Sequence, residues 1–276
     1  TEIYTLSLHD ALPISFSMGF SFACLQKTVQ TEHESLGRRA GWLQAANIAG
    51  CMLGSASTSL FLLKALGSSG TLALLGGLSG IFALLALARV LDAMHAGLLV
   101  RTLSGAICTV LVIFIVFTAP SSHQLWGVLH GAAPETIIHG EDGSGLAILR
   151  DHREEDRCVV VYANGLGQSW LPYNGIHTLL GVLPVMLHPN PASVVCIGLG
   201  SGDTAYATGG RSDVKTVTCI EIVRTQRHTL EALHELWPYG GLSVLLNDPR
   251  IRLMEGDGRA FLSRSSERFD IIQADA

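Results

Sequence analysis

The sequence predicts a multi-domain chain: transmembrane α-helices first, then a small antiparallel β domain, then a truncated α/β domain built on a parallel sheet. Three observations predict it. Charge is divided unevenly, with only six of the 18 Lys/Arg and five of the 23 Asp/Glu standing at or before Pro120. Three long charge-free runs lie in that same first part. Beyond residue 192, short apolar runs alternate with helical patterns, and each run leads into Gly or a carboxylate, the cadence of a parallel sheet. A single soluble core is excluded for a chain of 276 residues that is 48% hydrophobic and so unevenly patterned. The net charge of −5, without a basic run, excludes a nucleic-acid partner, because neutralising phosphates needs clustered Lys/Arg.

Residues 1–15, TEIYTLSLHDALPIS, contain no basic residue and include Glu2, Asp10 and Pro13, so they are not a secretory signal. The string resembles a translated sequencing adapter and is expected to be foreign to the fold. A membrane domain then covers 16–119, entering in mid-element with a partial helix over 16–26. The charge-free runs 42–63, 65–88 and 102–119 hold 22, 24 and 18 residues, near the ~20 that a helix needs to cross a bilayer core. Gly67-Ser68-Ser69-Gly70 is read as a turn, so the second span is placed at 71–88. The Gly50xxxGly54 spacing, with Ala45, Ala46 and Ala49 around it, predicts close helix approach. None of the spans carries a carboxylate, so proton-coupled transport has no visible machinery. Lys27, Arg38, Arg39, Arg89 and Arg101 put two of the loops inside and the C-terminal half outside by the positive-inside rule. The cytoplasmic side of a bacterial inner membrane is nevertheless the location expected for that half.

Residues 120–192 are read as a linker and a small β-hairpin domain. Gly140-Glu141-Asp142-Gly143 is a predicted turn, the charged stretch 152–156 a second, and the apolar run 158–163 ends in Asn164-Gly165, a strong hairpin signal. A helix over 172–187 stops at His188-Pro189-Asn190-Pro191, where two prolines forbid its continuation. The cysteines Cys24, Cys51, Cys108, Cys158, Cys196 and Cys219 show no CxxC spacing and are expected as reduced, buried thiols, with no metal and no disulfide.

From residue 193 the chain reads as a Rossmann-like nucleoside-binding domain, 193–276, truncated at its C-terminus. Strand 193–197 runs into Gly198-Leu199-Gly200-Ser201-Gly202-Asp203, where glycines allow a tight turn and the next helix offers free N–H groups. Strand 216–220 ends in Glu221, placed to accept both ribose hydroxyls of a nucleoside. Strand 251–254 leads to Gly256-Asp257-Gly258 and strand 269–273 to Asp275, so Gly200, Glu221, Asp257 and Asp275 share one carboxyl edge, where ligands bind. The third glycine of a dinucleotide fingerprint would be residue 203, which is Asp. Glycines at 198, 200 and 202 suit a nucleoside-sulfonium better, and an acidic edge suits its positive charge. Asp257 has a second reading, as the N-cap of a helix from Gly258.

HPNPASVVCIGLGSGDTAYA, TVTCIEIV, DPRIRLMEGDGRAFL and FDIIQADA, in this order and spacing, resemble the spermidine synthase family, and YANGLGQSW resembles the hairpin before its core. GWLQAANIAG followed by GS resembles membrane-fused versions of that family. The resemblance implies transfer of an aminopropyl group from decarboxylated S-adenosylmethionine to a small-molecule amine. It gives Glu221 the ribose, Asp257 with Gly258 the adenine side, and the loop of Gly198, Gly200, Ser201, Gly202 and Asp203 the methionine-derived part. It makes Asp275 the catalytic base and puts Gln168 and His177 beside the substrate, with no metal. Departures accompany it. The family's loop Asp falls on Ser201, and its Tyr-His-Glu falls on Ile176-His177-Thr178, so only the His is kept. Two other readings stay open: a methyltransferase using intact S-adenosylmethionine, and a membrane transporter or sensor whose nucleoside-binding domain is not catalytic. The lipid bilayer is the second expected partner, and self-association stays open. A chain ending beside its base is expected to be inactive by itself.

Overall fold

In the computed structural model of the chain, residues 36–153 and 156–275 are described. The expected adapter-like segment 1–15 and partial helix 16–26, with Cys24, lie outside them. The chain divides into two units, Thr1–Leu60 and Phe61–Ala276, so the division does not fall at the compositional boundary Pro120.

Helix α1 spans Leu36–Ser57 in the first unit and is followed by a π-helical turn, Thr58–Leu62. Helix α2 spans Leu63–Ala93, and Gly67 inside it adopts φ +67° and ψ −179°. The turn expected at 67–70 is thus reduced to one non-helical residue, and the helix resumes at once. The reason is a cap from elsewhere in the fold. Ser68 N–H donates to Glu141 Oε1 at 2.9 Å, so a carboxylate occupies the orphan donors of the restarted helix. A Cβ on Gly67 would lie 2.4 Å from that oxygen. Helix α3, Leu98–Phe117, returns antiparallel beside α2. Their close approach is made by Gly76, Gly77 and Gly80, which face Ile115, Val116 and Val112. The small-residue contact expected at Gly50 and Gly54 is not what this pair uses: a Cβ at either meets no described residue within 4 Å.

Helix α4, Ser122–Leu129, opens with a capping box in which the Ser121 and Gln124 side chains each bond the other's backbone N–H. Four antiparallel strands follow, β1 Ile137–Asp142, β2 Gly145–His152, β3 Cys158–Ala163 and β4 Leu166–Leu171, paired in sequence order. The first turn lies at 143–144, not at 140–143, because Asp142 Oδ1 accepts from the Ser144 N–H at 2.8 Å and closes the loop there. Glu141 is therefore a strand residue, and its carboxylate also accepts from Ser122 Oγ and Trp126 Nε1. The Asn164-Gly165 hairpin forms as expected, with φ of +49° and +83°. Between β3 and β4 the register slips, Val161 facing Ser169 and Tyr162 facing Gly167, which leaves Gln168 as a bulge.

Helix α5, Ile176–Leu187, begins four residues later than the sequence suggests, after Gly175 at φ +87°. The α/β part then runs β5 Ser193–Ile197, α6 Asp203–Thr208, β6 Thr216–Glu221, α7 Thr225–Leu236, α8 Gly240–Asn247, β7 Ile251–Glu255, α9 Gly258–Arg264 and β8 Ile271–Ala274. Its sheet is wholly parallel in the order β7-β6-β5-β8. Chain order reverses at β5, which makes the crevice above its carboxyl end the expected binding position. Leu149, Val159 and Val161 of the antiparallel sheet share one apolar core with Val194, Val217, Leu230 and Leu242. The two sheets therefore position each other, and no separate domain boundary at 192 is visible. Of the five described cysteines, all free, Cys196 and Cys219 are buried as expected but Cys51 is exposed.

Candidate active site

The loop after β5 owes its shape to three glycines with positive φ: Gly198 (+97°), Gly200 (+52°) and Gly202 (+88°). An L-side chain is strained at each. The loop is pinned on every side. Gly198 N–H donates to Ile220 O, Leu199 N–H to Glu221 Oε2 at 2.7 Å, and Ser201 N–H to Ser169 Oγ at 2.8 Å. The carbonyls of Gly200 and Ser201 accept from Gln226 Nε2 and Tyr173 Oη. Burial pushes the Tyr173 phenol far up, so it remains a donor.

Above this loop lies a cavity of about 410 Å³. Gln168 and His177 line it from the first half of the site, Gly198, Gly200, Ser201 and Asp203 from the loop, and Glu221, Asp257, Gly258 and Asp275 from the strand ends. Residues distant in sequence are thus brought to one sheet edge. Gly202 is the exception: it turns away, and a Cβ there would stand 2.1 Å from Leu245 Cδ2. Its absence of side chain serves loop-to-α8 packing, not ligand contact.

Glu221 holds backbone with both oxygens, Oε2 from Leu199 and Oε1 from the Val223 N–H at 2.8 Å. Each oxygen keeps a further acceptor site. Asp257 caps α9, its Oδ1 accepting from Ala260 N–H at 3.0 Å, so the N-cap reading holds and the same side chain also borders the cavity. Asp203 is buried at 2% exposure. Burial pushes its carboxyl up, against the Thr178 hydroxyl and the His177 charge that pull it down. Thr178 stands where the resemblance expects Glu, and its Oγ1 donates to Asp203 at 2.8 to 2.9 Å.

His177 lies between two acceptors: Nδ1 is 2.9 Å from Asp275 Oδ2 and Nε2 is 2.9 Å from the Gln168 carbonyl. Burial opposes a charge on the ring, but the Asp275 carboxylate, the Gln168 carbonyl and Asp203 outweigh it and hold the His177 pKa above its ordinary value. Each ring nitrogen thus faces one acceptor. The Gln168 bulge supplies a carbonyl to His177 as well as a side chain to the cavity. Asp275 Oδ2 takes a second bond, from Thr204 Oγ1 at 2.5 Å.

Sequence reasoning missed Ser169, Thr178, Thr204, Gln226 and Arg259. For Arg259 a signal existed, since it follows Gly258 in the first turn of α9 and lines the cavity. Thr204 and Ser169 adjoin residues that were singled out, but their partners lie 71 and 32 positions away. Among the described residues no group of three or more His, Cys, Asp or Glu is arranged to hold a metal.

The parallel sheet, the glycine loop and the carboxylates at its strand ends define an α/β domain of the Rossmann type. Residues 174–276 match the spermine/spermidine synthase domain. The polyamine aminopropyltransferase of Methanocaldococcus jannaschii is 28% identical over 99 residues, covering 36% of this chain and 32% of the relative. Polyamine aminopropyltransferase 1 of Pseudomonas aeruginosa is 25% identical over 140 residues, 47% of this chain and 48% of the relative. The chain thus spans about a third to a half of the length of these relatives. The crystal structure of spermidine synthase from Thermotoga maritima aligns with a TM-score of 0.44 and 22% identity, covering 51% of this chain and 48% of that one.

Proposed function

We propose that the protein transfers an aminopropyl group from decarboxylated S-adenosylmethionine to a small-molecule amine. The observation that carries this reading is the charge of the cavity. Asp203, Glu221, Asp257 and Asp275 border it, against His177 and Arg259. Decarboxylated S-adenosylmethionine bears a sulfonium and an ammonium without a carboxylate, so it gains more from such a lining than the intact form does. The residues fit the group in other respects. The glycine loop leaves room for close approach, and Ser201 Oγ is buried without a partner among the described residues, a polar atom open to a ligand.

Bound there, the co-substrate supplies an electrophilic carbon beside sulfur. This chain supplies the rest. Glu221 has acceptor capacity for ribose hydroxyls, Asp257 has Oδ2 for an adenine amino group, and Asp275 has Oδ1 for the amine. An amine near neutral pH is protonated and not nucleophilic, and a carboxylate within hydrogen-bond reach removes that obstacle. The transfer forms a C–N bond, breaks a C–S bond with the electron pair remaining on sulfur, and passes one proton from nitrogen to Asp275. The same protein is attached to a membrane by its apolar helices, a reading supported by two helical stretches, Gly37–Ala93 and Leu98–Phe117, long and apolar enough to cross one.

The test is product analysis with decarboxylated S-adenosylmethionine and an aliphatic diamine. The expected products are methylthioadenosine and the aminopropylated amine, with the rate in Asp275→Asn lowered by about a hundredfold or more. Turnover of intact S-adenosylmethionine to S-adenosylhomocysteine instead would make the domain a methyltransferase.

A further inference from the structure

Asp275 is gripped by one oxygen. Oδ2 accepts from Thr204 Oγ1 at 2.5 Å and from His177 Nδ1 at 2.9 Å. Oδ1 has no hydrogen bond to a described residue, and the side chain is 20% exposed while lining the cavity. The two donors come from separate elements, His177 from the first turn of α5 and Thr204 from the first turn of α6. The backbone N–H of Asp275 is tied to Ile197 O at 2.8 Å, so the residue is held at both ends. Thr204 Oγ1 also lies 3.1 Å from the His177 carbonyl. A hydroxyl has one proton, and the shorter, charge-assisted bond to the carboxylate takes it.

A carboxylate with no such grip rotates about its terminal torsion and presents either oxygen. We infer that Thr204 and His177 are positioning residues that fasten Asp275 by Oδ2 and thereby aim Oδ1 at the acceptor amine. The aim at an amine rests on the aminopropyl-transfer reading above; the grip does not. The amine proton passes to Oδ1, which makes Asp275 neutral and frees the nitrogen lone pair to bond carbon. The groups facing the His177 ring are Asp275 beyond β8, Asp203 from α6 and the Gln168 carbonyl from β4, so its titration reports on the grip.

The experiment compares Thr204→Val, which keeps the shape but loses the hydroxyl, with Thr204→Ser, which keeps the hydroxyl. In ¹⁵N-histidine spectra the His177 midpoint is expected to rise in Thr204→Val, because Oδ2 then serves His177 alone, and to stay near the parent in Thr204→Ser. Turnover is expected to fall about tenfold or more in Thr204→Val, with the Kd for the decarboxylated co-substrate unchanged within about twofold, and to recover in Thr204→Ser. Asp275→Asn provides a second reading if the valine variant does not fold: the His177 midpoint should drop below the parent. An unmoved midpoint in Thr204→Val, or in Asp275→Asn, overturns the grip, and a serine variant as impaired as the valine one overturns the role of the hydroxyl. Binding of intact in preference to decarboxylated S-adenosylmethionine sinks the aminopropyl reading instead, and the ring titration still decides the grip.

Discussion

At the scale of single residues, the site works by assigning each lone pair and proton to a partner. His177 sets one ring nitrogen against the Asp275 carboxylate and the other against the Gln168 carbonyl. Its pKa is raised in the folded chain, where burial is outweighed by the Asp275 carboxylate. A raised histidine pKa contributes stability that is complete below the unfolded value, about 6.5, and is lost as pH rises through the folded one. Chemical denaturation of the parent and of His177→Gln should therefore show a stability gap that is full below the unfolded histidine value and narrows as pH rises through the raised folded one. A gap that widens with pH would mean the ring is neutral in the native state. Gly202 illustrates the other kind of residue, singled out in the sequence for ligand contact and used in the fold for packing on Leu245.

At the scale of elements, local chemistry predicted well where neighbours in sequence decide the outcome. The Asn164-Gly165 hairpin needs two residues at positive φ and has them. The strands ending in Glu221, near Asp257 and before Asp275 form in order because their apolar runs are bounded by turn residues. What escaped depends on distant partners. Nothing near Gly140 reveals that Glu141 reaches back 73 positions to cap Ser68 and so turns an expected loop into a kink within α2. Nothing near Gln168 reveals a register slip, since a bulge is a property of two strands. The helix pair α2–α3 packs internally through Gly80, while Phe82, Leu85, Val110 and Phe114 stand more than half exposed. An aqueous surface seldom carries so large an apolar patch, and a lipid-facing one does. Flotation of the detergent-free protein with phospholipid vesicles should therefore recover it with the lipid, and resist high salt. Recovery in the soluble fraction would contradict attachment through these helices.

At the scale of the whole molecule, the antiparallel sheet and the parallel sheet act as one body around a shared core, which is why residues from β4, α5 and the strand ends meet at one cavity. Glu141 extends that body to α2, and through Gly140, whose carbonyl accepts from Thr225 Oγ1 at 3.0 Å, β1 is fastened to the helix that follows Glu221. The central claim is that this edge is built for a doubly cationic nucleoside-sulfonium. Calorimetric titration of decarboxylated and of intact S-adenosylmethionine, with the parent protein and with Glu221→Gln, tests it most directly. The account predicts that the decarboxylated form binds at least about tenfold tighter, ~1.4 kcal/mol, and that Glu221→Gln weakens both. Equal or tighter binding of the intact form, or binding indifferent to Glu221, would contradict it.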